Sequence, residues 1–178
     1  MAFNINEISG VLVGGGARPS LFQAFISSPG GIIPNIQFLC RATTLPESSV
    51  GQIDIPYFGR KIHVAGNRTY RDWSITVMND EDFLIRHEFE RWLSIINGVQ
   101  TNTGAVSPSE YRTDASVVQY SKDGSPIRQY DFANLFPTEI SNISVDWNTT
   151  DQIEEFSVTF QYDFFTVSGG PGTIGVPA

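Results

Sequence analysis

The sequence predicts a mainly β domain of antiparallel strands with one flanking α-helix over about residues 80–97. Apolar and polar residues alternate with a period of two in several short segments, and clusters among the 10 prolines and 16 glycines separate these segments. One stretch instead has apolar residues at the spacing of an amphipathic helix. The length of 178 residues suits a single domain, and we place its folded body at residues 19–166.

Seven segments are interpreted as strands or hairpins. The strongest pattern is EFSVTFQYDF, in which apolar and polar residues alternate as in a strand with one buried face. The apolar positions are Phe156, Val158, Phe160, Tyr162 and Phe164. In chain order the segments are 20–27 (SLFQAFIS), 35–42 (NIQFLCRA), 60–64 (RKIHV), 72–78 (DWSITVM), 116–132 (SVVQYSKDGSPIRQYDF, a hairpin bending at Lys122–Asp123–Gly124), 141–147 (SNISVDW) and 155–164 (EFSVTFQYDF).

The helix follows the segment NDED, in which we expect Asn79 to cap the helix and the acidic residues 80–82 to occupy its first turn. Carboxylates there are favoured by the helix dipole and by free N–H groups. An apolar stripe of Ile85, Phe89, Trp92 and Ile96 then follows, and Asn97–Gly98 ends the helix. The alternative, a calcium or magnesium site at residues 80–82, is disfavoured because adjacent helical carboxylates diverge and match no EF-hand spacing.

Composition bears on several classes of function. The net charge of −8 and the absence of a basic stripe disfavour a protein that grips nucleic acid. No apolar run is long enough for a membrane span, and the N-terminus does not resemble a secretory signal. The single cysteine, Cys40, is interpreted as a small buried hydrophobe. We expect residues 1–18, which contain three consecutive glycines, to be a flexible arm, and residues 167–178 to be a Gly/Pro-rich tail.

Catalytic motifs are not recognisable in the sequence. The two histidines, His63 and His87, have no Cys, His or carboxylate at a metal-ligand spacing, and no G-x-S-x-G elbow is present. A dispersed Ser-His-Asp site would leave no such signature. We predict a protein that is not an enzyme and has no catalytic residues, metal or cofactor.

The region from 44 to 72 is the least explained by core formation. It mixes aromatic, basic and acidic residues in the way that protein–protein interfaces do; an ordinary hairpin with a mixed surface is the alternative. The candidate interface residues are Glu47, Asp54, Ile55, Tyr57, Phe58, Arg60, Lys61, Arg68 and Arg71.

Longer motifs give a specific resemblance. The run LP-x(8)-IPYFGRKIHVAGNRTYRDWSITVMND, together with FLCRATTLP upstream and FPTEISNISVDWNTTDQIEEFSVTFQYD downstream, resembles the tail tube proteins of T4-like contractile-tailed bacteriophages over about residues 17–165. The resemblance implies a β-barrel or sandwich subunit of the tail-tube fold, which is shared with type VI secretion tube proteins. Both chain ends are longer than the family pattern leads us to expect.

The resemblance also implies function and partners. It implies a virion protein, assembled in the host cytoplasm, whose hexameric rings stack into the inner tail tube through which phage DNA passes. The implied partners are further copies of itself, the tail sheath, the baseplate and tail terminator, and the tape-measure protein and transiting DNA in the lumen. It further implies that the loop at 46–60 reaches the next ring, with Arg60 and Lys61 opposite acidic groups.

One alternative function and one hypothesis about the lumen accompany this prediction. A tube or ring-adaptor protein of a phage-like injection system or tail completion complex is the alternative function. The acidic balance suggests a lumen lined by carboxylates, which would repel DNA phosphates and hold the genome only weakly.

Overall fold

The structure, a computed structural model, describes residues 11–12 and 15–170. Most of the predicted N-terminal arm and residues 171–178 of the predicted tail lie outside the described residues. The elements are β1 (Phe22–Ser28), β2 (Gly31–Ile32), α1 (Ile36–Leu39), β3 (Cys40–Thr43), β4 (Ser48–Tyr57), β5 (Arg60–Tyr70), β6 (Trp73–Met78), α2 (Leu84–Ile96), a 3-10 turn (Pro108–Glu110), β7 (Thr113–Tyr120), β8 (Pro126–Ile140), β9 (Glu155–Gln161) and β10 (Phe164–Ser168).

The strands form one large antiparallel sheet and one separate hairpin. The large sheet has the order β2-β1-β7-β8-β9-β6-β3, with β10 also paired to β8. This confirms the predicted mainly β, antiparallel class with one principal helix. Within the described residues the path starts at β2 and ends at β3, so the sheet of a single chain is not closed into a barrel.

The long strand β8 bends and belongs to both halves of the sheet. Its first half pairs with β7 and β10, and its second half pairs with β9. The bend lies at Asn134, which has a positive φ of 58°. The Asn134 side-chain amide donates a hydrogen bond to Asp163 Oδ2 at 2.8 Å, and the Asp163 N–H donates to the Ala133 carbonyl at 3.1 Å. These bonds fix the corner where the β9–β10 segment crosses from one half to the other.

The core lies between the two halves of the sheet and under α2. The Trp73 ring on β6 stacks on the Phe132 ring on β8, with ring centroids 4.4 Å apart. Phe89 and Trp92 of α2 are both buried, and their rings pack near Phe160. The apolar stripe predicted for the helix therefore faces the core, as do the apolar positions of the segment at 72–78.

The start of the helix differs from the prediction. α2 begins at Leu84, preceded by Phe83 at a positive φ of 52°, and no acidic residue lies in its first turn. Asn79 does not cap the helix, because its N–H donates to the Glu154 carbonyl at 2.8 Å and its side-chain amide donates to Glu154 Oε2 at 3.1 Å. Asn79 thus extends the pairing beside β6 and β9, and residues 80–82 form the turn that follows.

Three predicted strands are also corrected. The segment 141–147 is not a strand; it belongs to a loop that leads to β9. In 35–42 the first residues form the helical turn α1 and only Cys40 onward is extended. In 155–164 the pattern breaks after Gln161, because the chain turns at Asp163 to pair β10 with β8. The hairpin bending at Lys122–Asp123–Gly124 is confirmed, with Gly124 at a φ of 84°.

Candidate assembly interface

The hairpin formed by β4 and β5 stands apart from the rest of the fold. These two strands make their own two-stranded sheet and pair only with each other. Nearly every residue along them is exposed. Isolated two-stranded hairpins are marginally stable in water, so this hairpin lacks the packing that normally stabilises long strands.

The two faces of the hairpin differ in chemistry. Opposed residues share a face, and Asp54 on one face accepts a hydrogen bond from Lys61 Nζ at 3.2 Å and lies 2.8 Å from His63 Nδ1. The other face carries the opposed pairs Ile53 with Val64, Ile55 with Ile62, and Tyr57 with Arg60. The apolar members of these pairs are 44–63% exposed. An exposed apolar strip on a projecting element is a feature common to surfaces that contact other proteins.

The tip of the hairpin is a two-residue turn of Phe58 and Gly59, both with positive φ (43° and 80°). Such turns normally favour Asn-Gly, because a bulky side chain is strained in the left-handed region. Phe58 is nevertheless 92% exposed and contacts Tyr57 edge-on, with ring centroids 4.7 Å apart. Neither turn geometry nor burial in this chain accounts for a phenylalanine at this position.

The root of the hairpin is tied firmly to the core. The buried Trp73 Nε1 donates to the Thr43 hydroxyl and to the Thr44 carbonyl, each at 2.9 Å. Tyr70, at the end of β5, packs against Tyr162 and Phe165 with centroid separations of 6.0 and 5.5 Å. The hairpin therefore projects from a fixed base.

The structure places all nine predicted interface residues on this hairpin or at its base. Asp54 and Lys61 form an ion pair within the chain, as do Glu47 and Arg71 at the root, with Arg71 Nε 2.9 Å from Glu47 Oε1. Within the described part of the chain, Arg60 and Arg68 have no carboxylate partner. Lys61 thus already has a partner in the isolated chain, whereas Arg60 keeps its charge available.

Sequence reasoning missed part of the exposed apolar strip. Ile53, Ile62 and Val64 share the face of Ile55 and Tyr57 but are not among the predicted interface residues. The sequence does carry a signal for them. Apolar residues occupy alternate positions on both sides of the turn, in QIDIPY before it and in RKIHV after it. Pairing them across a two-residue turn brings the apolar positions to one face.

Two features of the described residues bear on metal binding and on thiol chemistry. They contain no group of three or more His, Cys, Asp or Glu side chains that could hold a metal ion. Cys40 is buried, and burial raises the pKa of its thiol to about 12, so the nucleophilic thiolate is scarce near neutral pH. No helix in the described ranges is long and apolar enough to cross a membrane.

Solved structures share this fold. A chain in the cryo-EM structure of the anti-feeding prophage baseplate, 6-fold symmetrised, matches with a TM-score of 0.66 over 86% of this chain and 95% of that one, at 11% identity. A chain of the PVC sheath–tube complex of an extracellular contractile injection system matches with a TM-score of 0.61 over 95% and 100%, at 15% identity. The Hcp1 protein of E. coli EAEC 042 matches with a TM-score of 0.52 over 86% and 94%, at 13% identity.

The fold therefore defines a structural class, which includes these chains of the prophage and injection-system assemblies and Hcp1. Sequence comparison narrows this class. The phage tail tube protein model matches residues 13–168, and tail tube protein gp19 of Enterobacteria phage T4 is 39% identical over 150 residues, covering 84% of this chain and 90% of the relative. The chain belongs to the phage tail tube protein family, and its role is that of a structural tube protein of the virion.

Proposed function

We propose that this chain assembles into hexameric rings, which stack into the inner tube of a contractile tail, and that the β4–β5 hairpin joins successive rings. The observation that carries this proposal is the hairpin itself: a long two-stranded sheet with an exposed apolar face and a strained, exposed Phe58 at its tip. Its apolar face gains a partner only in an assembly. The 6-fold symmetry named for the anti-feeding prophage structure supports six-membered rings.

The hairpin has the reach that such a role requires. Its ten-residue strand β4 spans roughly 30 Å at about 3.3 Å per residue, and it pairs only with β5 along that length. Ile55, Tyr57 and Phe58 would bury apolar surface against the neighbour, and Arg60 would meet an acidic group there. Edge-to-edge strand pairing within a ring would cover the open edges at β2 and β3, which otherwise promote uncontrolled association.

The same proposal includes the other components of the tail. A contractile sheath would surround the tube, a baseplate and a terminator would contact its ends, and the tape-measure protein and DNA would occupy the lumen. A net charge of −8 supports passage of DNA without tight binding, since counterion release on cationic side chains is what drives nonspecific affinity. On this account the chain carries no catalytic activity.

A paired variant tests the role of the hairpin. We expect Tyr57→Ala with Phe58→Ala to reduce tube formation, measured by sedimentation and electron microscopy across a concentration series, while its melting temperature stays near that of the wild type. The double variant Val99→Ala with Val106→Ala, at positions 90% and 96% exposed, is the matched control and should assemble normally. If the hairpin variant lost melting temperature and assembly together, the reduced assembly would be due to a folding defect and not to a lost contact between subunits.

A further inference from the structure

The loop between β8 and β9, residues 141–154, is a second exposed apolar surface. Trp147 is 100% exposed, Val145 79% and Ile153 67%. Tryptophan is strongly enriched at the centres of protein interfaces, because its large ring gains much by leaving water. Three large apolar side chains on one loop are not explained by the core of this chain.

The loop is pre-shaped by internal hydrogen bonds. The Asn148 N–H and side-chain amide each donate to Asp146 Oδ1 at 3.0 Å. The Thr149 N–H and hydroxyl donate to the Asp146 carbonyl at 3.1 and 2.8 Å. These bonds hold the turn that presents Trp147, beside an open groove of about 620 Å³ lined in part by Ile143, Val145 and Ile153.

The loop and the hairpin carry opposite charge. Residues 141–154 include three acidic residues, Asp146, Asp151 and Glu154, and no Lys, Arg or His. The hairpin, residues 48–70, has three Lys or Arg residues, Arg60, Lys61 and Arg68, and one histidine, His63, against the single acidic Asp54. In a chain with a net charge of −8, the hairpin is thus a basic element and the loop an acidic one. Both also expose aromatic side chains, so they are complementary in charge and in apolar character.

The two surfaces lie at opposite ends of the same strands. In the β6–β9 pair, Trp73 faces Phe160 at the end where the hairpin leaves the sheet. At the other end Met78 faces Glu155, directly after the loop. A hairpin at one end and its complement at the other is the arrangement required for head-to-tail contact between identical subunits.

We propose that residues 141–154 are the acceptor surface for the β4–β5 hairpin of a second copy of this chain. This inference rests on the proposed function and names the surface that receives the hairpin. The tip residues Tyr57 and Phe58 pack against Val145, Trp147 and Ile153, and the basic residues of the hairpin face the acidic residues of the loop. Because the two surfaces differ, each added copy presents a new free surface and the contact repeats along the tube.

Mixing two blocked variants tests the pairing. The hairpin variant is Tyr57→Ala with Phe58→Ala, and the loop variant is Val145→Ala with Trp147→Ala; Asp146 is kept because it shapes the turn. We expect each variant alone to fail to elongate. The equimolar mixture should form short complexes of limited mass, because the intact hairpin of the loop variant can bind the intact loop of the hairpin variant, and the remaining surfaces are blocked. The double variant Val99→Ala with Val106→Ala should form tubes like the wild type.

The outcomes separate this inference from the proposed function. If the loop variant elongates like the wild type while the hairpin variant does not, the acceptor is elsewhere and only this inference fails. If both variants are blocked but their mixture forms no complex, the two surfaces do not bind each other, and the inference is likewise overturned. If the wild type itself forms no tubes under conditions where the variants are compared, the proposed function fails.

Disulfide cross-linking supplies a second measurement on the full chain. The variant Phe58→Cys with Trp147→Cys should give a ladder of covalent multimers on oxidation, whereas either single substitution should stop at dimers. Native Cys40 is buried and does not compete. A double variant that yields only dimers would contradict the pairing of tip and loop.

Discussion

Replacing Phe58 by asparagine separates the stability of the hairpin from its contribution to assembly. Phe58 occupies the first position of a turn with φ values of 43° and 80°, where Asn before Gly is strongly preferred. A bulky residue in the left-handed region costs about 1–2 kcal/mol. Phe58→Asn should therefore stabilise the hairpin by roughly 1 kcal/mol, seen as about fivefold slower exchange of its backbone amides.

Assembly should change in the opposite direction. Burying a phenylalanine side chain contributes about 1.5–3 kcal/mol, and Phe58 is 92% exposed in the isolated chain. Losing this contact should weaken the association constant per contact by about 10- to 150-fold, measured as a higher critical concentration for tube formation. Val99→Asn, at an equally exposed position, should leave both quantities unchanged.

Phe58→Asn should thus stabilise the hairpin and weaken assembly, and these opposite effects distinguish it from a general folding defect. A general folding defect would lower both the protection of the hairpin amides against hydrogen exchange and the extent of assembly. Tube formation by Phe58→Asn at the critical concentration of the wild type would refute the reasoning, because it would show that the exposed ring contributes nothing to the contact.

Three further predictions concern the body of the fold. Asn134→Ala should lower the free energy of unfolding by about 1–2 kcal/mol in urea titrations, and by more than Asn134→Gly does. Both variants lose the bond to Asp163, but only alanine keeps the strain of a positive φ. An equal loss for both variants would contradict this. Cys40 should react with thiol reagents only as fast as the chain unfolds, since burial raises its pKa to about 12; rapid native-state labelling at pH 8 would contradict it. Burial, with a smaller effect of Tyr70 and nearby carboxylates, raises the pKa of Tyr162 to about 12. Its contribution to stability should be complete below pH 10 and be lost as the pH rises from about 10 to 12, and a Tyr162→Phe variant with the same alkaline profile as the wild type would exclude this residue as the cause.

The sequence predicted elements whose apolar pattern is explained by the core of one chain. Period-two alternation located β6 and β9, and the stripe of Ile85, Phe89 and Trp92 located α2, because these side chains are buried in the same subunit. The bend of β8 at Asn134 was not predictable from alternation, since it depends on a hydrogen bond to the distant Asp163.

The errors have physical causes as well. The segment 141–147 alternates like a strand, yet Val145 and Trp147 are exposed in a loop; an apolar pattern does not reveal whether it is buried by its own chain or by another. Asn79 is a residue type that favours the N-cap of a helix, but its hydrogen bonds go to Glu154 in the neighbouring segment. The mixture of aromatic and charged residues singles out the hairpin region in the sequence. Its separation from the main sheet is seen only in the structure, where β4 and β5 pair with each other alone.

The most direct test of the account is a cryo-EM reconstruction of tubes assembled from the full chain. We predict hexameric rings around an open lumen, with each β4–β5 hairpin lying between successive rings and its tip, Tyr57 and Phe58, buried against the next ring. Tubes in which the hairpins face solvent, or contact only subunits of their own ring, would contradict the central claim that the hairpin joins the rings.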